Sequence, residues 1–180
     1  ILVYPTDTCY GLGADARNAS AVRRLIQMKQ RNLRSKPFSV IVSSIDELSS
    51  RAVAQIDPRT TTILHQYLPG PFTFILVNLD FRISRSSSIG IRIPNCATTS
   101  MLASHLHGPY VTTSANVNGL ASPYTYEDIE QFLLSPLRQA NQPLPDLVLD
   151  AGRLPPHPPS TVVDLTVDPP RILRQGSGIF

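Results

Sequence analysis

Short apolar runs alternate along the chain with stretches whose apolar positions recur every three or four residues, the pattern of strands interleaved with helices. Ile1-Leu2-Val3-Tyr4 opens it as a buried strand. A polar strand-to-helix loop then runs to Ala16, and Asn18-Ala19-Ser20 opens a helix striped by Val22, Leu25 and Ile26. Residues 37–42 read as a second strand, Asp46 as the cap of a short helix reaching about Ala54, and Asp57-Pro58 as cap and first turn of another. That helix stops at Pro69-Gly70-Pro71, which delivers residues 72–77, a β-branched and aromatic run suited to a strand buried on both faces. Residues 89–94 alternate, with Arg92 and Gly90 on one face. Thr98 or Thr99 caps a helix carrying Met101, Leu102, His105 and Leu106, and residues 110–113 form a strand ending in Ser114-Ala115-Asn116. A helix with Asp128, Ile129, Phe132 and Leu133 ends by Pro136, and three short strands follow at 147–149, 161–163 and 171–173. The pattern predicts an α/β domain.

Composition narrows the picture. A chain of 180 residues with 42% hydrophobic content suits one domain, here residues 1–180, with roughly 70% of the unfolded surface buried. It starts at Ile1 inside a strand, so an N-terminal segment is expected to be missing. No apolar run approaches ~18 residues, which excludes a transmembrane helix. Two cysteines far apart argue for a reducing compartment, hence a cytoplasmic location. A net charge of +3 admits an anionic ligand without requiring nucleic acid. Seventeen prolines are scattered among loops, except for one irregular connection at 143–159.

Candidate chemistry lies in the loops. Lys29 occupies the i+7 position of its helix stripe, where a core residue is expected. Either it serves the helix dipole and snorkels outward, or it joins Arg31, Arg34 and Lys36 around a polyphosphate. Arg92 is either an edge-strand arginine facing solvent or the bidentate partner of a carboxylate or carbonate. Ser114 and Asn116 are turn formers or a second polar loop at a strand's C-terminal end. His105 and His107 point to different helix faces and read as surface residues, without a metal cluster. Gly11-Leu12-Gly13-Ala14-Asp15-Ala16 formally fits a dinucleotide fingerprint, but the ribose-binding acid is missing downstream, where Lys36 stands. There is no phosphate-binding loop of the G-x-x-x-x-G-K-[ST] type and no G-x-S-x-G nucleophile, and Cys9 lacks a neighbouring histidine. Nucleic-acid binding is a rival class, weakened because aromatic residues, only 7%, do not interleave with the basic run.

Pro5-Thr6-Asp7-Thr8-Cys9-Tyr10-Gly11-Leu12 closely resembles the opening motif of the Sua5/YciO/YrdC family. Lys29-Gln30-Arg31 is similar to that family's K-x-R, Lys36-Pro37-Phe38 to its K-P-[LF], and Pro69-Gly70-Pro71-Phe72-Thr73 to its P-G-P-x-T. Arg92-Ile93-Pro94, Ser114-Ala115-Asn116, Ser160-Thr161-Val162-Val163-Asp164 and Arg174-Gln175-Gly176 follow in family order. Asn32 departs from the proline that commonly follows K-x-R.

The resemblance implies an α/β fold with a YrdC-like twisted sheet, mixed parallel and antiparallel, flanked by helices and carrying an open concave site. It implies an L-threonylcarbamoyladenylate synthase that condenses L-threonine, bicarbonate and ATP into threonylcarbamoyl-AMP and pyrophosphate. Its product feeds threonylcarbamoyl-transferase partners that make the t6A modification of tRNA, and contact with tRNA or double-stranded RNA would be indirect. On this resemblance Lys29, Arg31, Ser114 and Asn116 are catalytic. Lys36, Ser160 and Arg174 join those four around ATP, which Mg²⁺ accompanies. Thr6, Thr8, Tyr10, Arg92 and Thr112 take threonine. Replacing Lys29 or Arg31 by alanine is then expected to abolish turnover with little loss of stability. The YciO branch of the family, as a nucleotide- or RNA-binding protein without synthase activity, and a YrdC-like domain of a larger carbamoyltransferase are the alternatives.

Overall fold

The central strands place large apolar side chains on one side of the sheet and, over much of the other, small or polar ones, and that difference sets the architecture. A computed structural model describes residues 1–29, 38–50, 53–80, 86–117, 119–134 and 142–180. In chain order the elements are β1 (Leu2–Tyr4), β2 (Gly11–Asp15), α1 (Ala19–Lys29), β3 (Ser39–Ile41), α2 (Ile45–Ser50), β4 (Ala54–Gln55), α3 (Pro58–Tyr67), β5 (Phe72–Asn78) and β6 (Ser88–Arg92). Then come α4 (Ala97–Leu106), β7 (Tyr110–Ser114), α5 (Tyr126–Ile129) running into a π-helical turn (Glu130–Leu134), β8 (Leu147–Val148), β9 (Thr161–Asp164) and β10 (Arg171–Arg174). The strands form one mixed sheet in the order β10-β9-β5-β6-β3-β7-β2-β1-β8, with β4 added beside β5. Pairings β1–β8, β3–β6 and β5–β9 are parallel and the others antiparallel.

Val3, Leu12, Val40, Phe74, Ile89, Ile91, Val111 and Val163 face the main core. Leu25 and Met28 of α1, Leu48 of α2, Leu64 of α3 and Ile129 of α5 cover them. On the opposite face, Ala103 of α4 packs at one end on Tyr4, Ile41 and Tyr110. Tyr4 and Tyr110 meet there edge to face, with ring centroids 5.6 Å apart. Beyond α4 no helix among the described residues covers that face.

Several expectations change. The polar stretch before α1 is a loop only as far as Tyr10, because residues 11–15 are a strand paired on both sides. Its glycines make room for the Tyr4 ring: a Cβ on Gly11 would lie 2.9 Å from Tyr4 Cε2, and one on Gly13 2.6 Å from Val111 O. α2 begins at Ile45, so Asp46 lies in its first turn; the Ser44 hydroxyl accepts from Glu47 N–H, whose carboxylate accepts from Ser43 N–H. α4 is capped by Cys96 without a side-chain bond, and Thr99 donates its hydroxyl to Cys96 O instead. β6 lies between β5 and β3, so Arg92 is not on an edge strand. Asp57 caps α3 as expected, accepting from Thr60 N–H at 2.7 Å. Among the described residues no helix is long and apolar enough to cross a membrane.

Candidate functional site

Beyond α4 the sheet is the floor of a cavity of about 470 Å³. Register explains its smoothness, since Ile75, Gly90, Ser39 and Thr112 are successive partners in one row across four strands. The row is small except at Ile75, and a Cβ on Gly90 would stand 2.6 Å from Ser39 Oγ. Thr73 on β5 adds a hydroxyl that pairs with Ser160 Oγ at 2.8 Å. The Thr112 hydroxyl pairs with Tyr4 OH at 2.6 Å, and burial drives the Tyr4 phenol well above its ordinary pKa. It remains a neutral hydrogen-bonding group.

One wall is the β1–β2 loop. Thr6 Oγ1 accepts from the backbone N–H of Thr8 and Cys9 and donates to Cys9 O at 2.7 Å, so this hydroxyl holds the turn. Thr8 Oγ1 lies 3.4 Å from Arg92 Nη2. Arg92, whose side chain is 12% exposed, also donates from Nη2 to Asp7 Oδ1 at 3.0 Å. Its Nε is buried and has no hydrogen-bond partner among the described residues. Such a donor is costly to leave unpaired, and it belongs to a side chain that lines the cavity. The Cys9 thiol beside it is pushed up by burial, against the opposing field of Arg92, and is not a ready nucleophile.

The last turn of α1 supplies Lys29, which is 3% exposed and therefore does not snorkel outward. Its ammonium donates to Ser114 O at 2.7 Å, to Asn116 Oδ1 at 2.8 Å and to Asn116 O. Asn116 is equally committed. Its amide donates to Leu120 O and Ala121 O, and its carbonyl accepts from Lys29 and from Ser114 Oγ at 2.6 Å. An ammonium thus clamps the β7 loop from below, and its charge lies on the cavity wall.

Opposite, Arg174 donates from Nε and Nη2 to Ser160 O at 3.1 and 2.7 Å. Its pKa is lowered by burial of the guanidinium and then by the positive field of Arg92. Two guanidiniums and an ammonium thus line one cavity, which has no carboxylate lining among the described residues. Chemically it can receive a ligand with several negative charges.

The sequence profile of the Sua5_yciO_yrdC family, described as "Telomere recombination", matches residues 1–176. The chain belongs to the Sua5/YciO/YrdC family. It is 33% identical to a Methanocaldococcus jannaschii protein given provisionally as a threonylcarbamoyl-AMP synthase, over 98% of this chain and 79% of that protein. The structure of Pyrococcus abyssi Sua5 complexed with L-threonine superposes with a TM-score of 0.82 at 26% identity, covering 97% of this chain. This chain spans half the length of that protein. Escherichia coli YciO superposes with a TM-score of 0.83 at 28% identity, over 99% of this chain and 84% of YciO.

Of the residues that the family resemblance singles out, Thr6, Thr8, Lys29, Arg92, Thr112, Ser114, Asn116, Ser160 and Arg174 all line this cavity. Tyr10 does not. Its ring is fully buried, and its hydroxyl donates to Gly152 O at 2.7 Å and accepts from Ala151 N–H at 2.8 Å, tying down the chain that follows β8. Arg31 and Lys36 lie outside the described residues. Sequence reasoning missed Ser39 and Thr73, although each is a hydroxyl alternating with core residues in its strand. It also missed Asp7, whose charge had no visible partner in sequence. The histidines stand at the surface, and among the described residues no His, Cys, Asp and Glu cluster could hold a metal.

Proposed function

We propose that this chain condenses L-threonine, bicarbonate and ATP to threonylcarbamoyl-AMP and pyrophosphate. The observation that carries the proposal is the set of three cations, Arg92, Lys29 and Arg174, that lines one hydroxyl-rich cavity. A guanidinium there fits a carboxylate, and the two further cations fit phosphates. The names of the Methanocaldococcus relative and of the threonine-bound Pyrococcus structure support the same reading.

In this reaction the threonine nitrogen attacks the bicarbonate carbon, and water leaves to give a carbamate. A carbamate oxygen then attacks the α-phosphorus of ATP, the Pα–O–Pβ bridge breaks, and pyrophosphate departs with the bond's electrons. Negative charge gathers throughout, so positioned cations and donors contribute more than a general base. Arg92 and Thr8 receive the amino-acid carboxylate, with Thr6 and Thr112 shaping that end. Arg174, Ser160 and Ser114 face the nucleotide. Lys29 contributes its charge while its protons fix the Ser114-Ala115-Asn116 loop, and Arg31 and Lys36 join the phosphates. Because hydroxyls, carbonyls and cations make up the described lining, the donor set does not fit a resident Mg²⁺. It suits one carried in on the triphosphate that keeps most of its water ligands. The product is a reactive mixed anhydride, which suits handover to threonylcarbamoyl-transferase proteins that modify tRNA in the cytoplasm, so that this chain need not touch the RNA itself.

The test is to incubate the protein with MgATP, bicarbonate and L-threonine and to follow pyrophosphate together with the adenylate. Release that needs both threonine and bicarbonate is expected. No release with any amino acid, alongside nucleotide or RNA binding, would place the chain with a non-synthase YciO-like function instead.

A further inference from the structure

Asp7 is the one acid in the β1–β2 loop, and the proposed chemistry gives it no part. Its side chain is only 9% exposed, and its two oxygens are divided between two elements. Oδ1 accepts from Arg92 Nη2 at 3.0 Å, and Oδ2 accepts from the backbone N–H of Asn95, also at 3.0 Å. The second bond anchors the carboxylate to the turn that links β6 to α4. The first then anchors the guanidinium, at an outer nitrogen, to a carboxylate that cannot swing. A guanidinium is planar, so fixing Nη2 fixes the direction of Nε–H as well. That Nε is the buried donor without a partner among the described residues.

An arginine free to choose would rotate to satisfy this donor, since leaving it unpaired is unfavourable. The bond to Asp7 holds it in place. We infer that Asp7 is a positioning residue that holds the Arg92 guanidinium in place on the cavity wall, where the ligand carboxylate is received. The inference rests on the proposed threonine-binding reading for the identity of that ligand, but the tether itself is independent of it. Asp7 also offsets the charge of Arg92, so that the cavity is cationic without an uncompensated buried guanidinium.

The test uses protein labelled with nitrogen-15 in its arginines, with the Arg92 Nε–H resonance assigned by its disappearance in Arg92→Lys. In the wild type the resonance should exchange slowly with water and should shift when L-threonine is added. Asp7→Asn keeps the size of the side chain and removes its charge; it should speed exchange of the Arg92 Nε–H. It should also weaken L-threonine binding by about tenfold or more, with less than about twofold change in ATP binding. In turnover the loss should fall on KM for threonine more than on kcat. The Asp7→Asn/Arg92→Lys double variant should bind threonine no more weakly than Arg92→Lys alone, which a purely structural role would not produce. Unchanged exchange and unchanged threonine affinity in Asp7→Asn would overturn the inference. So would an Asp7→Asn protein that fails to fold while Arg92→Lys folds, because Asp7 would then be holding the loops and not the guanidinium. A resonance that responds to Asp7→Asn but never to threonine would keep the tether and remove the threonine reading.

Discussion

Lys29 shows how far one residue can be read from sequence. A lysine in a core stripe is visible as a broken pattern, and so is an arginine that shares a strand face with a glycine. What the pattern does not show is where the ammonium protons go, because Ser114 and Asn116 are distant in sequence and arrive by folding. The structure therefore changes the expected cost of removing Lys29. Lys29→Met would leave Ser114 O, Asn116 O and Asn116 Oδ1 without their buried donor. It should destabilise the domain by about 2–4 kcal/mol, read from urea denaturation, besides abolishing turnover. A full-strength denaturation midpoint in that variant would mean that the ammonium is a ligand group only. Tyr10 and Asp7 were illegible for a related reason, since the directions of consecutive loop side chains depend on the turn that Thr6 closes.

Strands with ordinary side chains were legible at the scale of elements, because apolar, β-branched and aromatic residues concentrate in β5, β7 and β9 and alternation survives in β6. β5, read as buried on both faces, in fact turns Ile75 and Val77 to a face that is not fully buried. β2 was not legible, since Gly11 and Gly13 erase the alternating pattern on the face that would have shown it. Two glycine replacements separate structure from function here. Gly13→Ala would set a Cβ 2.6 Å from the backbone oxygen of Val111, which cannot step aside within a paired strand. A loss of about 1–3 kcal/mol is expected in chemical denaturation. Gly90→Ala would meet the end of the Ser39 side chain at a similar 2.6 Å, and that hydroxyl can rotate. Its stability should change by less than about 1 kcal/mol while KM for the substrates rises, because the new methyl stands on the cavity floor. Equal losses of stability in the two variants would contradict this division.

For the whole molecule, the sheet order explains the proline-rich connection that composition alone marked as irregular. Residues 149–160 link β8 at one edge to β9 beside β5, across seven strand spacings of ~4.8 Å each, and twelve residues cover that distance only when nearly extended. Pro155, Pro156, Pro158 and Pro159 favour such a path, and Tyr10 pins its start. Strand order across such distances cannot be read from the pattern of a single sequence, so the open concave site was expected only through the family resemblance, and its floor and walls came from the structure. Burial of the Cys9, Tyr4 and Tyr110 protons has a consequence for the domain as a whole. Each folded-state pKa is raised by desolvation above the unfolded values near 9.0 and 10.0. Above pH 9 the unfolded chain releases protons that the folded one keeps, so stability should be full below that pH and fall as pH rises through 9 and 10. Urea titrations at neutral and alkaline pH would show it, and Tyr4→Phe should flatten the decline. The central claim rests on the cavity's cations acting on one ternary set of substrates. Its most direct test is to supply isotope-labelled bicarbonate with MgATP and L-threonine and to weigh the nucleotide product. The account predicts an adenylate that carries both the threonine and the label and fails to form in Arg92→Lys; an adenylate without the label, or none at all, would contradict it.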